Sequence, residues 1–282
     1  LNGLALCAGV GGLELGLGLA VPEYKCVGYV EREAFAASVI VARMEDKALD
    51  QAPIWDDLET FPSKDFREKV DIISAGFPCQ PWSTAGKGKG LDDDRWLWPA
   101  ISRIICEVGP GIVFLENVPG LLDGGIGPIL GDLAQAGYDA EWGCFSAAEV
   151  GASHLRKRVF IMAYAQGSGA WGKIRDVCQK NGRQKTRRVQ LSSGPDTEME
   201  NTTSSGLEGS ESHGLQYELG PFPPLPGDID GWKYYRGPQP ALRRGPDGMA
   251  YWVDRIRVIG NGVVPLEAAY AFRTLAARGG LI

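Results

Sequence analysis

The chain has 282 residues, 44% of them hydrophobic, enough for one large core plus a small second lobe. Its net charge of −6 leaves no basic tail to advertise nucleic acid, although local charge matters more than the sum. Six cysteines without a C-x-x-C pair and only two histidines, His154 and His213, argue against structural zinc and suit a reducing cytosol. No apolar run reaches transmembrane length and no charged-then-apolar leader opens the chain, so the expected setting is cytoplasmic, without a membrane partner.

In chain order, Leu4 to Cys7 predicts a strand, followed by Ala8-Gly9-Val10-Gly11-Gly12 and a helix beginning over Leu13 to Leu19. Cys26 to Val30 predicts a second strand closing on Glu31, and Glu33 to Met44 a helix. A short segment ends at Asp56-Asp57, and the apolar run Val70 to Ser74 predicts a buried strand. Trp98 to Val108 predicts a helix, Ile112 to Leu115 a strand ending at Glu116-Asn117, Ile129 to Ala136 a helix and Val159 to Ala163 a strand. Such alternation implies an α/β fold with a mostly parallel sheet covered on both faces, whose ligands sit beyond the strand ends.

Composition changes near Gln166. Residues 166–231 are rich in Gly, Ser, Thr, Pro and charge, and Ser192 to Ser212 resembles a loose surface insertion. Lys173, Arg175, Lys180, Arg183, Lys185, Arg187 and Arg188 form a basic island, either a solvated loop or a set of phosphate contacts. Ile256 to Ile259 then leads through Gly260-Asn261-Gly262-Val263-Val264-Pro265 into an Ala-rich helix ending near Ala277. That helix reads as core, so the chain is expected to return to its first domain.

The chemistry gathers at the strand ends. Gly76-Phe77-Pro78-Cys79-Gln80-Pro81-Trp82-Ser83 places a thiol between two prolines just after a strand. A reactive loop and a buried inert cysteine both fit that pattern. Glu31 stands where a carboxylate binds ribose hydroxyls, yet Leu13 and Glu14 replace the rest of a phosphate-binding G-x-G-x-x-G. A nucleoside ligand without a pyrophosphate therefore fits better than NAD. Glu116 needs a partner or a raised pKa if buried, serving either as proton donor or as a structural ion-pair residue. Arg156 and Arg158 fall on one side of an extended segment, facing an anion or a polar base unless they are simple surface arginines.

This ordered set resembles the DNA (cytosine-5-)-methyltransferases of bacterial and phage modification systems. The resemblance covers about 1–164 and 250–282. It implies a Rossmann-like S-adenosylmethionine-dependent methyltransferase fold with a small target-recognition domain. Residues 1–164 would form the catalytic and cofactor-binding domain, 165–249 the variable recognition domain, and 250–282 a return segment completing the first. Ala8, Gly9, Val10, Gly11 and Gly12 are similar to the family's cofactor loop, Glu31 to its ribose acid and Asp57 to its adenine-contacting acid. Pro78, Leu97, Asn261 and Val263 complete the implied cofactor set. Gly76 to Ser83 looks like the nucleophile loop, Glu116-Asn117-Val118 like the catalytic E-N-V, and His154-Leu155-Arg156-Lys157-Arg158 like Q-x-R-x-R with His in place of Gln. Ala5 and Cys7 stand where many members have Asp and Phe.

The resemblance implies attack by Cys79 on carbon 6 of a flipped cytosine, with Glu116 at N3, Arg158 at O2 and Arg156 supporting the nucleophile loop. S-adenosylmethionine is the implied cofactor, S-adenosylhomocysteine its product, and no metal is expected. Double-stranded DNA is the implied partner, with a cognate restriction endonuclease as a further candidate, and the chain is expected to be monomeric. Trp82 to Arg95 suits a lid over the flipped base. Competing readings are a catalytically inactive DNA-binding homologue, an RNA cytosine-5 methyltransferase and a nicotinamide- or flavin-linked oxidoreductase.

Overall fold

The computed structural model describes residues 1–78, 96–165 and 262–282. Within them lie strands β1 (Asn2–Leu6), β2 (Lys25–Val30), β3 (Ile54–Trp55), β4 (Ile72–Gly76), β5 (Ile112–Asn117), β6 (Tyr138–Ser146) and β7 (Lys157–Ala165). The helices are α1 (Gly12–Ala20), α2 (Ala34–Glu45), α3 (Trp98–Val108), α4 (Ile126–Gln135) and α5 (Pro265–Arg278).

The strands form one sheet in the order β3-β2-β1-β4-β5-β7-β6. The first five are parallel, while β7 runs antiparallel to both β5 and β6. Strand order reverses between β1 and β4, which opens a crevice at their carboxyl ends. Alternation along the central strands feeds two cores. Ile73, Ala75, Val113, Leu115 and Ile161 pack with Trp98, Ile101, Ile104 and Leu133 of α3 and α4. Ile72, Ile112, Phe114, Phe160 and Met162 pack on the opposite face with Leu13, Leu17, Ile40, Phe272 and Leu275.

Most predicted elements are present with small shifts. β4 runs two residues past the predicted end, carrying Gly76 to the sheet edge. α4 begins three residues earlier than expected because Pro128 sits in its first turn, where a missing N–H costs nothing. β6 has no counterpart in the sequence reading. It is an edge strand with an irregular inside-outside pattern, so period-2 alternation is lost. The Ala-rich helix is present as α5, which packs against α1, β6 and β7. The run Ile256 to Ile259, the basic island and the 82–95 lid lie outside the described residues.

Candidate active site

Parallel strands deliver their carboxyl ends to one edge of the sheet, and β7, being antiparallel, delivers its start there too. Residues 7–12, Glu31, Asp57, Pro78, Glu116 and Arg156–Arg158 therefore share that edge.

On the β1–β2 side the chain turns sharply after β1. Ala8 N–H donates to Val30 O at 3.1 Å and Gly11 N–H to Ala8 O at 2.8 Å. Gly11 closes the turn at φ +80°, a left-handed conformation that side chains resist. The Arg43 guanidinium donates to the Val10 carbonyl and anchors the loop to α2. Glu31 accepts from Gly9 N–H at 2.6 Å through Oε2 and from Glu33 N–H at 2.7 Å through Oε1. Burial pushes this carboxyl above its ordinary range, while the backbone donors pull it back. Each oxygen keeps acceptor capacity for a hydroxyl.

Gly12 has a second requirement. A Cβ there would stand 2.7 Å from the Val263 carbonyl oxygen and 3.1 Å from the Val263 Cβ. Glycine thus lets the segment before α5 close over the start of α1, bringing two residues of the expected cofactor set together. Asp57, half-buried just past β3, is fixed by accepting from Glu59 N–H at 3.0 Å. Leu97 precedes α3 and packs on the core, and Pro78 is exposed at the end of the described β4 segment. The bare backbone at Gly9–Gly12, the positive end of α1 and the Glu31 carboxylate form a cradle that fits a nucleoside-type cofactor. Among the described residues no cluster of three or more His, Cys, Asp or Glu side chains is arranged to hold a metal ion.

On the β4–β5–β7 side Gly76 pairs in register with Glu116, and Glu116 with Phe160. A Cβ at Gly76 would lie 3.4 Å from Glu116 Oε2. Cys79 follows three residues later, but it lies outside the described residues, as does Asn261. Glu116 is 7% exposed and its Oε1 is 2.9 Å from Arg158 Nε. Burial raises its pKa, and Arg158 and then Arg156 lower it. The two arginines thus face the Glu116 carboxyl, as alternation along an extended segment predicts.

Sequence reasoning assigned no separate work to two residues here. Asn117 donates from Nδ2 to the Phe77 carbonyl at 3.1 Å and accepts from Val118 N–H at 2.8 Å, tying the end of β5 to the segment leading into Cys79. Its neighbours in the E-N-V triplet were the available signal. Glu267, fully buried on α5, has Arg158, Glu116, Arg156 and Glu149 as its charged surroundings. Nothing in the sequence links positions 116, 156 and 267.

Comparison with known proteins shows the family. Residues 1–213 match the model of the C-5 cytosine-specific DNA methylase family. The type II methyltransferase M.NgoMIV of Neisseria gonorrhoeae is 35% identical over 164 residues, covering 57% of this chain and 50% of that protein. The type II methyltransferase M.CviJI of Paramecium bursaria Chlorella virus IL3A is 33% identical over 163 residues, covering 57% and 42% respectively. The chain thus spans about half the length of these curated relatives. A solved methyltransferase from Entamoeba histolytica, 18% identical, shares the fold with a TM-score of 0.50 over 58% of this chain and 52% of its own. With residues 1–213 matching the family's model, on a Rossmann-like sheet that sets Gly76 beside Glu116 and Arg158 against it, the chain belongs to the C-5 cytosine-specific DNA methylases.

Proposed function

We propose that the chain transfers a methyl group from S-adenosylmethionine to carbon 5 of a cytosine flipped out of double-stranded DNA, through a covalent adduct of Cys79. The observation that carries this reading is the buried Glu116–Arg158 pair at 2.9 Å, in register with the strand end that leads to Cys79.

Cytosine carbon 5 is a weak nucleophile. Addition of the Cys79 thiolate to carbon 6 moves electron density to carbon 5, while Glu116, in its protonated form, donates to N3 as charge develops there. Arg158 pairs with Glu116 through Nε, donates from Nη1 to the Lys157 carbonyl at 2.7 Å and leaves Nη2 for the base O2, and Arg156 steadies the same edge. The cofactor, when bound, supplies an electrophilic methyl group. Ala8 to Gly12, Val263 and Asn261 would enclose it, with Glu31 on its ribose, Asp57 on its adenine and Pro78 and Leu97 along its sides. Loss of the carbon 5 proton to water, return of the N3 proton to Glu116 and elimination of the Cys79 thiolate then restore the carbon 5–carbon 6 double bond and free the enzyme.

Residues 165–249, inserted between β7 and the return to α5, are the proposed target-recognition region, with the basic island contacting phosphates. A cognate restriction endonuclease is a further proposed partner. Monomeric action in a bacterial or phage-infected cytoplasm completes the reading. Incorporation of labelled methyl groups into DNA, with RNA as competitor, tests it. The parent should label DNA and Cys79→Ser should not. Turnover of the serine variant within about tenfold of the parent, or label confined to RNA, refutes it.

A further inference from the structure

Asp57 lies just past β3 in an irregular turn, so the aim of its carboxylate depends on what holds the backbone around it. The strand side is fixed by β2. Glu31 N–H donates to the Trp55 carbonyl at 2.8 Å, which seats the end of β3 beside Glu31. Leu58 and Phe61 are buried in the core that they share with α3. Glu59 N–H closes the turn on Asp57 Oδ1 at 3.0 Å.

The carbonyls of this turn are held from α3 by one side chain. Arg103 donates from Nη2 to the Leu58 carbonyl at 2.7 Å and, at longer range, to the Glu59 carbonyl at 3.4 Å. Its Nη1 meets Glu107 Oε2 at 2.9 Å, one helical turn on, and the Ser63 hydroxyl at 3.3 Å. Ser63, itself buried, donates to Glu107. Two partners therefore orient the Nη1 arm, and the Nη2 arm is directed at backbone next to Asp57. An ion pair along one helix adds little to stability by itself. A planar fork that bridges from that helix to the carbonyls of a separate turn is a geometric constraint, which an ammonium cannot copy.

We propose that Arg103 is a positioning residue for Asp57: by fixing the Leu58 and Glu59 carbonyls from α3, it holds the Asp57 carboxylate where an adenine amino group is read, and so sets the selectivity for an adenine-bearing cofactor. Arg103 acts through the turn and not by touching the cofactor. The amino group donates, and Asp57 accepts with the oxygen that Glu59 N–H does not occupy. A base with a carbonyl in that place, as in inosine, sets an acceptor against the carboxylate and is rejected. Without Arg103 the carboxylate loses its fixed aim, and the preference between the two bases shrinks. The inference rests on the reading of Asp57 as the adenine-contacting acid.

The test is calorimetry on the full chain with S-adenosylhomocysteine and with its inosine counterpart. The parent should favour the adenine ligand by at least ~10-fold. Arg103→Met should weaken the adenine ligand about tenfold and the inosine ligand by less than about twofold. Arg103→Lys keeps the charge beside Glu107 but not the fork, so it should fall between the two and serves if the methionine variant fails to fold. In an Asp57→Ala background, Arg103→Met should cost less than about twofold more, because the two residues act as one unit. Equal weakening of both ligands, or a full second loss on top of Asp57→Ala, is what a merely structural role predicts and overturns the inference. Adenine affinity in Arg103→Met within about twofold of the parent overturns it as well. Unchanged adenine affinity in Asp57→Ala overturns the reading of Asp57 instead. Amide hydrogen exchange at Glu59 then decides the local claim: faster exchange in Arg103→Met leaves the positioning standing, and parental exchange refutes it.

Discussion

Replacing Asn117 with alanine tests whether the turn after β5 holds the segment that leads to Cys79. Asn117 is 4% exposed and makes two hydrogen bonds, to the Phe77 carbonyl at 3.1 Å and from Val118 N–H at 2.8 Å. Alanine removes both. Phe77 is buried, so its carbonyl loses a partner that water cannot readily replace, whereas Val118 is half-buried and its N–H can reach solvent. One unsatisfied buried group costs about 1–3 kcal/mol, so the expected loss of stability is ~2–3 kcal/mol, mostly from Phe77. The Phe77 carbonyl is two residues from Cys79, and a nucleophile displaced by a fraction of an ångström should lose ~10- to 100-fold in kcat at temperatures where the variant is fully folded. Cofactor affinity should fall less than turnover, since Pro78 adjoins Phe77 but the rest of the cofactor loop and Glu31 lie on the untouched β1–β2 side. Asn117→Asp should be worse than alanine, because it sets a carboxylate oxygen against the Phe77 carbonyl. Urea unfolding by tryptophan fluorescence, paired with labelled methyl incorporation, reads both quantities. A stability loss under ~0.5 kcal/mol together with parental turnover would refute the reasoning.

Gly12→Ala places a methyl group 2.7 Å from the Val263 carbonyl oxygen, a backbone atom that must move to admit it. It should cost about 1–3 kcal/mol and weaken S-adenosylmethionine binding ~10-fold; a parental melting temperature and affinity would show that the two segments are not in contact. Glu31→Ala removes the acceptor shared by the Gly9 and Glu33 N–H groups and should weaken cofactor binding in calorimetry with little change in DNA affinity, whereas unchanged cofactor affinity removes Glu31 from the site. Burial raises Glu14 from its ordinary value of 4.5 to about 7, so the folded chain keeps a proton that the unfolded chain releases. Stability should therefore fall as pH rises from about 4.5 to 7, and Glu14→Gln should match the parent near pH 4.5 and exceed it by up to ~3 kcal/mol at pH 8. A stability difference that does not vary with pH would contradict this.

The parts of the fold legible in the sequence are those where one local pattern decides the outcome. The apolar run Ile112–Leu115 of β5 and the Trp98–Val108 stripe are examples, as are glycines at points of turning or close approach. The edge strand β6 was not legible, because exposed Trp142 and Gly143 break its alternation and its pairing partner β7 lies across a turn. Much the same holds for the site. Glu31 and Glu116 are readable because each closes an apolar strand. Glu267 is not, since an acid in a helix's first turn is ordinary and only packing encloses it beside residues more than a hundred positions away. The Asn117 bond to Phe77 is similar, a contact across neighbouring strands that a linear motif records without explaining.

The position of α5 also has a consequence in time. Phe272 and Leu275 cover the sheet face that carries Phe114, Phe160 and Met162, with the rings of Phe114 and Phe272 5.3 Å apart. On the ribosome β7 is complete roughly a hundred residues before α5, and at ~5–20 residues per second that interval is on the order of 5–20 s. Throughout it, the part of the sheet face that α5 covers stands open in the cell, a surface for chaperones to hold or for other nascent chains to find. The pace of translation between β7 and α5 therefore sets how long this face waits, part covered, for α5.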